Sequence, residues 1–280
     1  MSPSHGRQFL GEWDVTELVY SPEAELVGTV RQCRSLEADR QSGSILVHQR
    51  CEPSPELAQH PMAAFRGDFR FRLDVSGRQR LYRGPDVQGS GTAFGGVFLC
   101  GQGVWPRFGY NFRSWSISLG DTQQLTGGVF FRGSRQVAVI IGVGSLRGAA
   151  SDAPALDASP RFVSAAGSRS ILDLESGEEA HGAVTRQAQN PGTWLEWSES
   201  SEERFHLRGE GGEYVMSCNQ RAVGMAKAYG PLLCWELHGD HGDSVSGLDI
   251  ATPGGRQQFS LRQNALNGRL ISLEGIRLTV

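Results

Sequence analysis

Lysine is almost missing from this chain of 280 residues: Lys227 stands alone, and the other 26 basic residues are arginine. A GC-rich coding bias accounts for that economy. Arginine clusters that grip carboxylates or phosphates in a fork geometry are the functional alternative. The formal net charge is -3, so no basic surplus exists to neutralise phosphates, which argues against a nucleic-acid partner. Long apolar runs are missing too. The longest, Val137 to Val143, has the length of a buried strand, and no run approaches the roughly 18 residues of a membrane span. The opening residues, Met1 to Arg7, carry no apolar segment of the kind a secretory leader needs. The five cysteines are scattered, odd in number and without a Cys-x-x-Cys pair, which predicts reduced, mostly buried thiols and a cytoplasmic protein. Cys33 and Cys51 fall on adjacent expected strands, so a disulfide between them stays open. Helical periodicity is nearly absent, apart from a weak stretch around Pro55 to Ala64.

What the chain has is punctuation. Hydrophobic residues make up 39% and charged residues 20%, which suits a packed core, and 37 glycines break the sequence into short runs. Those runs are rich in Val, Ile, Phe, Trp and Thr and recur every 8 to 15 residues or so. Expected strands cover Trp13–Tyr20, Leu26–Leu36, Ile45–Cys51, Phe65–Val75, Gln79–Tyr82, Thr92–Cys100, Arg107–Leu119, Gln124–Arg132 and Arg135–Val143, about nine in all. Ser42-Gly43 and Ser76-Gly77 read as turns. Consecutive hairpins without crossover helices favour an up-and-down barrel or a sandwich. The stretch 148–161, rich in Ala, Ser, Asp and Pro, reads as a linker. It separates a first domain, 6–147, from a second β domain, 162–280, expected as a barrel or half-barrel. In the second, Asn267-Gly268 and Gly254-Gly255 read as hairpin turns.

Gly11-Glu12-Trp13, at the opening of the first strand, resembles the Gly-x-Trp signature of lipocalins and the wider calycin superfamily, in which the tryptophan plugs the closed end of the barrel. A second Gly-x-Trp, Gly192-Thr193-Trp194, lies in the second half. Phe9 to Trp13 followed by Tyr20-Ser21-Pro22-Glu23, and Ser90 to Phe98 followed by Gly101-Gln102-Gly103, are similar to an uncharacterised family of two-barrel, lipocalin-like proteins common in photosynthetic organisms. The resemblance implies an all-β fold of two tandem antiparallel lipocalin/calycin-like β-barrels. It transfers no catalytic residue.

A barrel of eight to ten strands either fills with side chains or holds one small ligand. If Trp13 faces inward, so do Val15, Glu17 and Val19. An inward Glu17 is desolvated and suited to acid–base work near neutral pH, or else pairs with an arginine such as Arg113. His48, mid-strand, is the second candidate for proton transfer. Tyr82, Phe98, Tyr110, Arg113 and Trp115 are the expected ligand-binding set. On the strand carrying three of them, Phe108, Tyr110 and Phe112 share one face and Asn111, Arg113, Trp115 and Ile117 the other. The dense Glu236 to Asp243 stretch reads as a solvated loop, so no metal and no cofactor is expected. Nucleophile-elbow, zinc-protease, Walker and dinucleotide motifs are missing, which disfavours standard hydrolases, kinases and dehydrogenases. Two functions remain: a cofactor-independent cyclase or isomerase acting on a small apolar, natural-product- or isoprenoid-like molecule, and a non-catalytic binder or carrier. The expected partner is that small molecule, with the chain a monomer or homodimer. Its cavity is expected inside the first barrel.

Overall fold

The computed structural model describes residues 9–149, 163–190, 192–199, 201–252 and 257–280. Among the described residues twenty strands form two closed barrels of ten antiparallel strands each. No described helix is long and apolar enough to cross a membrane. In the first barrel the order is β1 (Gly11–Tyr20), β2 (Leu26–Ala38), β3 (Ile45–Pro53), β4 (Gly67–Ser76), β5 (Gln79–Arg83), β6 (Gln88–Phe94), β7 (Phe98–Trp105), β8 (Tyr110–Ser118), β9 (Gln123–Arg132) and β10 (Arg135–Leu146). Each strand pairs with the next, and β1 closes the ring on β10 in the register Glu17↔Gly142. Closure thus leaves no edge strand in this barrel among the described residues.

The tenth strand comes from a turn that strand patterning hid. The run Thr92–Cys100 reads as one strand, but Gly95 and Gly96 both take positive φ, +60° and +73°. That left-handed pair reverses the chain so that Phe94 lies opposite Phe98. The weak helical stretch is two short 3-10 helices, Pro55–Leu57 and Pro61–Phe65. They connect β3 to β4 and plug that end of the barrel. Phe65 sits among Phe69, Trp105, Phe108, Tyr110 and Phe130, with ring centroids 4.7 to 6.4 Å away. The opposite end carries the β2–β3, β4–β5, β6–β7 and β8–β9 turns. Cys33 and Cys51 are both free, one exposed and one buried. Gln32, not Cys33, lies opposite Cys51, so the two thiols sit on opposite faces of the wall and no disulfide joins them.

The second half closes as a full barrel: β11 (Ala165–Asp173), β12 (Glu179–Asn190), β13 (Thr193–Ser198), β14 (Glu202–Glu210), β15 (Glu213–Cys218), β16 (Ala222–Tyr229), β17 (Leu232–His238), β18 (Asp243–Ala251), β19 (Gln257–Leu266) and β20 (Arg269–Thr279). β11 pairs with both β12 and β20. The inward positions of β12, β16 and β18 are partly polar or small (Arg186, Gly224, Gly247), so hydrophobic alternation does not mark these strands. Asn267 and Gly268 make the expected turn with positive φ. Gly254-Gly255 and most of the expected linker, from residue 150, lie outside the described residues.

Charge fills the second barrel. Arg186 is fully buried and donates to Glu196 Oε1 at 2.6 Å, Asp249 Oδ1 at 2.9 Å and Ser260 Oγ at 2.8 Å. Arg262 donates to Glu196 Oε2 and to Glu274 at 3.4 Å, and Arg169 pairs with Glu274 at 2.8 Å. Trp194 and Trp235 donate to Glu196 and Asp249 from the same lumen. Burial pushes the Glu196 carboxyl up, but the two guanidiniums outweigh it and hold the group at about 2. A depressed carboxyl stabilises the fold above its unfolded value near 4.5 and loses that contribution as pH falls through about 2. Glu196→Gln strips the charge from between two arginines, and the expected cost at pH 7 is about 3–5 kcal/mol. Urea denaturation of both forms checks this. The difference between them should shrink as the pH is lowered towards about 2.

Candidate functional site

Period-two alternation decides what lines the first lumen. On β1 the inward residues are Trp13, Val15, Glu17 and Val19, as β1's burial pattern requires. Registers carry that phase round the wall to Gln32 and Arg34 on β2, Gln49 and Cys51 on β3, and Phe71 and Leu73 on β4. They carry it on to Arg80 and Tyr82 on β5, Ser114 and Ser116 on β8, and Gln124 and Thr126 on β9. These side chains line a cavity of about 210 Å³, far above the ~10–15 Å³ that one water requires. Met62 and Phe65 bound it on the plugged side, and Phe9, Gly96 and Val97 on the other.

Glycine makes the space. Gly91 and Gly101 face each other across β6 and β7. A methyl group added at either would lie 3.3 or 3.2 Å from the Tyr82 hydroxyl. Gly142 stands opposite Glu17, and a methyl there would run into its Cγ. Bulky residues at these positions would displace the very side chains that give the lumen its polarity.

Glu17 is 2% exposed. Gln32 donates its amide to one carboxylate oxygen, and Arg34 Nη2 approaches the other at 3.2 Å. Arg34 Nε also donates to Gln32 Oε1 at 2.7 Å, closing a three-membered network. Burial raises the Glu17 carboxyl above its ordinary 4.5, and the Arg34 charge and the Gln32 hydrogen bond only partly offset this. Such a group can hold a proton where an exposed carboxylate has lost it. Burial also pushes the Tyr82 hydroxyl and the Cys51 thiol up to about 12. Tyr82 is therefore a hydrogen-bonding hydroxyl rather than a phenolate, and Cys51 is no thiolate nucleophile.

The expected site residues divide. Glu17 and Tyr82 line the cavity. Phe98 borders it from β7, stacked on Phe94 with centroids 5.5 Å apart. Trp115 borders it from the other phase of β8, its indole covering Gly127, where no Cβ would fit. Tyr110 faces inward but belongs to the aromatic plug, 5.8 Å from Phe65. Two candidates are on the wrong face. His48 alternates with the buried Val47 and Gln49, so it is exposed and meets Asp68 at 3.0 Å outside. Arg113 alternates with Phe112 and Ser114 and is exposed as well; the arginine that Glu17 needs is Arg34. Arg34 and Arg80 escaped sequence reasoning. Strand phase held the clue, since Arg80 precedes Tyr82 by two residues and Arg34 follows Gln32 by two.

No protein-family model and no curated protein matches the chain. Among solved structures, a protein of unknown function from the DUF3598 family of Nostoc punctiforme superposes with a TM-score of 0.67 at 10% identity, covering 100% of this chain and 99% of that one. The likeness shows the fold, a tandem pair of β-barrels. Kievitone hydratase from Nectria haematococca (TM-score 0.21, 8% identity, 100% and 92% coverage) aligns too loosely to carry an argument. So does transferrin-binding protein B from Haemophilus parasuis (TM-score 0.23, 9% identity, 96% and 75% coverage).

The raised Glu17 carboxyl has a measurable sign. Protonation stabilises the folded chain, fully so below the unfolded value near 4.5, and that contribution is lost as pH rises through the folded value. Glu17→Gln cannot lose it. Thermal midpoints of both proteins between pH 4.5 and 8 should therefore diverge, with the wild type falling relative to Glu17→Gln as the pH rises. Parallel curves would place the carboxyl at its ordinary value.

Proposed function

We propose that the first barrel is a calycin-type container for one small, largely apolar molecule. The observation that carries this reading is the cavity inside the first barrel, walled by Val30, Val47, Phe71, Leu73, Phe112 and Phe130 and furnished with a few buried polar groups. Ligand sites share that composition: apolar walls supply affinity through burial, and sparse polar groups fix orientation. The second barrel contrasts with it, because its lumen is occupied by its own ion pairs.

A second reading, cofactor-independent isomerisation or cyclisation, is favoured by Glu17. Its carboxyl is buried in the cavity wall, is raised above its ordinary value and is held by Gln32 and Arg34. A flexible apolar substrate folded against the aromatic side would meet an acid that gives a proton at one carbon and accepts one from another, with no redox partner needed.

N-phenyl-1-naphthylamine, an uncharged dye that fluoresces in apolar surroundings, tests the container. It should bind the full-length protein at about one per chain. Ser114→Phe fills the lumen and should weaken binding by about tenfold or more, comparable to losing one well-buried side-chain contact. His48→Ala, on the outer face, should leave binding unchanged. Equal affinity in Ser114→Phe and wild type would remove the first lumen as the site. Where turnover of a substrate is found, Glu17→Gln should abolish it and leave dye affinity within about threefold.

A further inference from the structure

The first lumen holds one carboxylate, Glu17, and two guanidiniums, Arg34 and Arg80. Arg34 is matched by Glu17. Arg80 is not. It is 2% exposed, and among the described residues no carboxylate pairs with it. Its Nη1 donates to the carbonyls of Gly77 and Gln79 at 2.8 and 2.9 Å, which pins the guanidinium beneath the β4–β5 turn. Its Nη2 is buried and has no partner at all.

A buried cation with an idle donor is costly in an otherwise apolar setting, by several kcal/mol. Proteins keep such a group where something else supplies the counter-charge. The surroundings fit that role. Gly91 lies directly opposite Arg80 in the ladder, and the Tyr82 hydroxyl leans over the same glycine, 3.3 Å from where a Cβ would stand. Tyr82 keeps its proton, since burial drives it to about 12. Two donors, one charged and one neutral, thus line the same cavity, and the Arg80 charge is felt at the Tyr82 hydroxyl. Val47, Phe71, Leu73 and Phe112 supply apolar wall in the same cavity, and Glu17 with Gln32 and Arg34 forms a separate polar group.

We propose that the molecule held in the first barrel is a monoanionic amphiphile, an organic carboxylic acid, whose carboxylate takes the free Nη2 of Arg80 and the Tyr82 hydroxyl. This rests on the reading of the first barrel as a container. A carboxylate offers two acceptor oxygens in one plane, one for the free Nη2 and one for the Tyr82 hydroxyl. A single negative charge also balances the lumen, which carries an excess of one positive charge when Glu17 is ionised. A phosphate monoester brings more charge and a third oxygen for which no further unmatched cation lines the cavity.

The test uses the full chain and displacement of bound N-phenyl-1-naphthylamine by octanoate, octan-1-ol and octyl phosphate at pH 7.5. Octanoate should displace the dye at concentrations about tenfold or more below octan-1-ol, the margin of one charge-assisted hydrogen bond. Arg80→Met should erase that margin while the dye still binds. If the dye binds but octanoate has no advantage, or the advantage survives Arg80→Met, the anion site is overturned and the container stands. If octyl phosphate displaces the dye better than octanoate, the carboxylate assignment is overturned. If the dye does not bind the wild type at all, the container itself fails. Should Arg80→Met not fold, Arg80→Lys serves: it keeps the charge, loses the planar fork, and should cut the octanoate margin at least threefold. Tyr82→Phe should reduce the same margin without touching octan-1-ol.

Discussion

Both halves of this chain rest on one event, the pairing of a barrel's first strand with its last. β1 meets β10 and β11 meets β20 through antiparallel ladders. Closure satisfies the backbone groups of both would-be edges and fixes the sense of every side chain, because a one-residue slip would turn each strand inside out. All the site geometry follows from that register. Glu17 faces inward because Trp13 does, and Arg80 faces inward because four further ladders carry the same phase from β1 round to β5.

Closure leaves each lumen with the same problem, which the two halves solve in opposite ways. Ten strands enclose more space than side chains of ordinary size fill easily. The second barrel fills it with long arginines and the carboxylates that neutralise them, with Trp194 stacked on Phe205 at 5.2 Å. Charges there come in matched sets, so burial is tolerable. The first barrel packs one end with the Phe65 cluster and leaves the remainder open. Its polar groups are few, and their charges do not cancel.

Much of this was legible in the sequence. Alternation at Ile45 to Cys51 and Phe69 to Leu73, and the Ser-Gly and Asn-Gly turns, sufficed for a barrel of hairpins. The same alternation put Glu17 in the lumen once Trp13 was taken as buried. Two kinds of information were hidden. Gly95-Gly96 sits inside an apolar run, so a tight turn looked like strand. β12 and β18 face inward through Arg186, Asp249 and Gly247, which a hydrophobic pattern cannot recognise. Alternation separates the two faces of the strands that carry His48 and Arg113 without saying which faces inward, and each of the two lies one residue from an inward position. Arg34 and Arg80 have that phase, but arginines scattered through a nearly lysine-free chain carry no signal by type alone.

The polar groups of the first lumen also differ among themselves in how complete they are. Glu17, Gln32 and Arg34 satisfy one another: the carboxylate receives two donors, and Arg34 is tied to both partners. A ligand that approaches this trio must compete with bonds already made, which favours groups that accept a proton over groups that seek a counter-ion. Arg80 presents the reverse case, a fixed charge with a donor in reserve. Along β5 its neighbour in phase is Tyr82, whose ring meets Phe71 at 6.1 Å and Phe112 at 6.5 Å. Tyr82 thus joins the charged group to the apolar wall through a single side chain. On the proposed reading, a molecule with a polar head and an apolar body is oriented by that junction on β5, while the one buried carboxyl suited to proton transfer stands apart on β1.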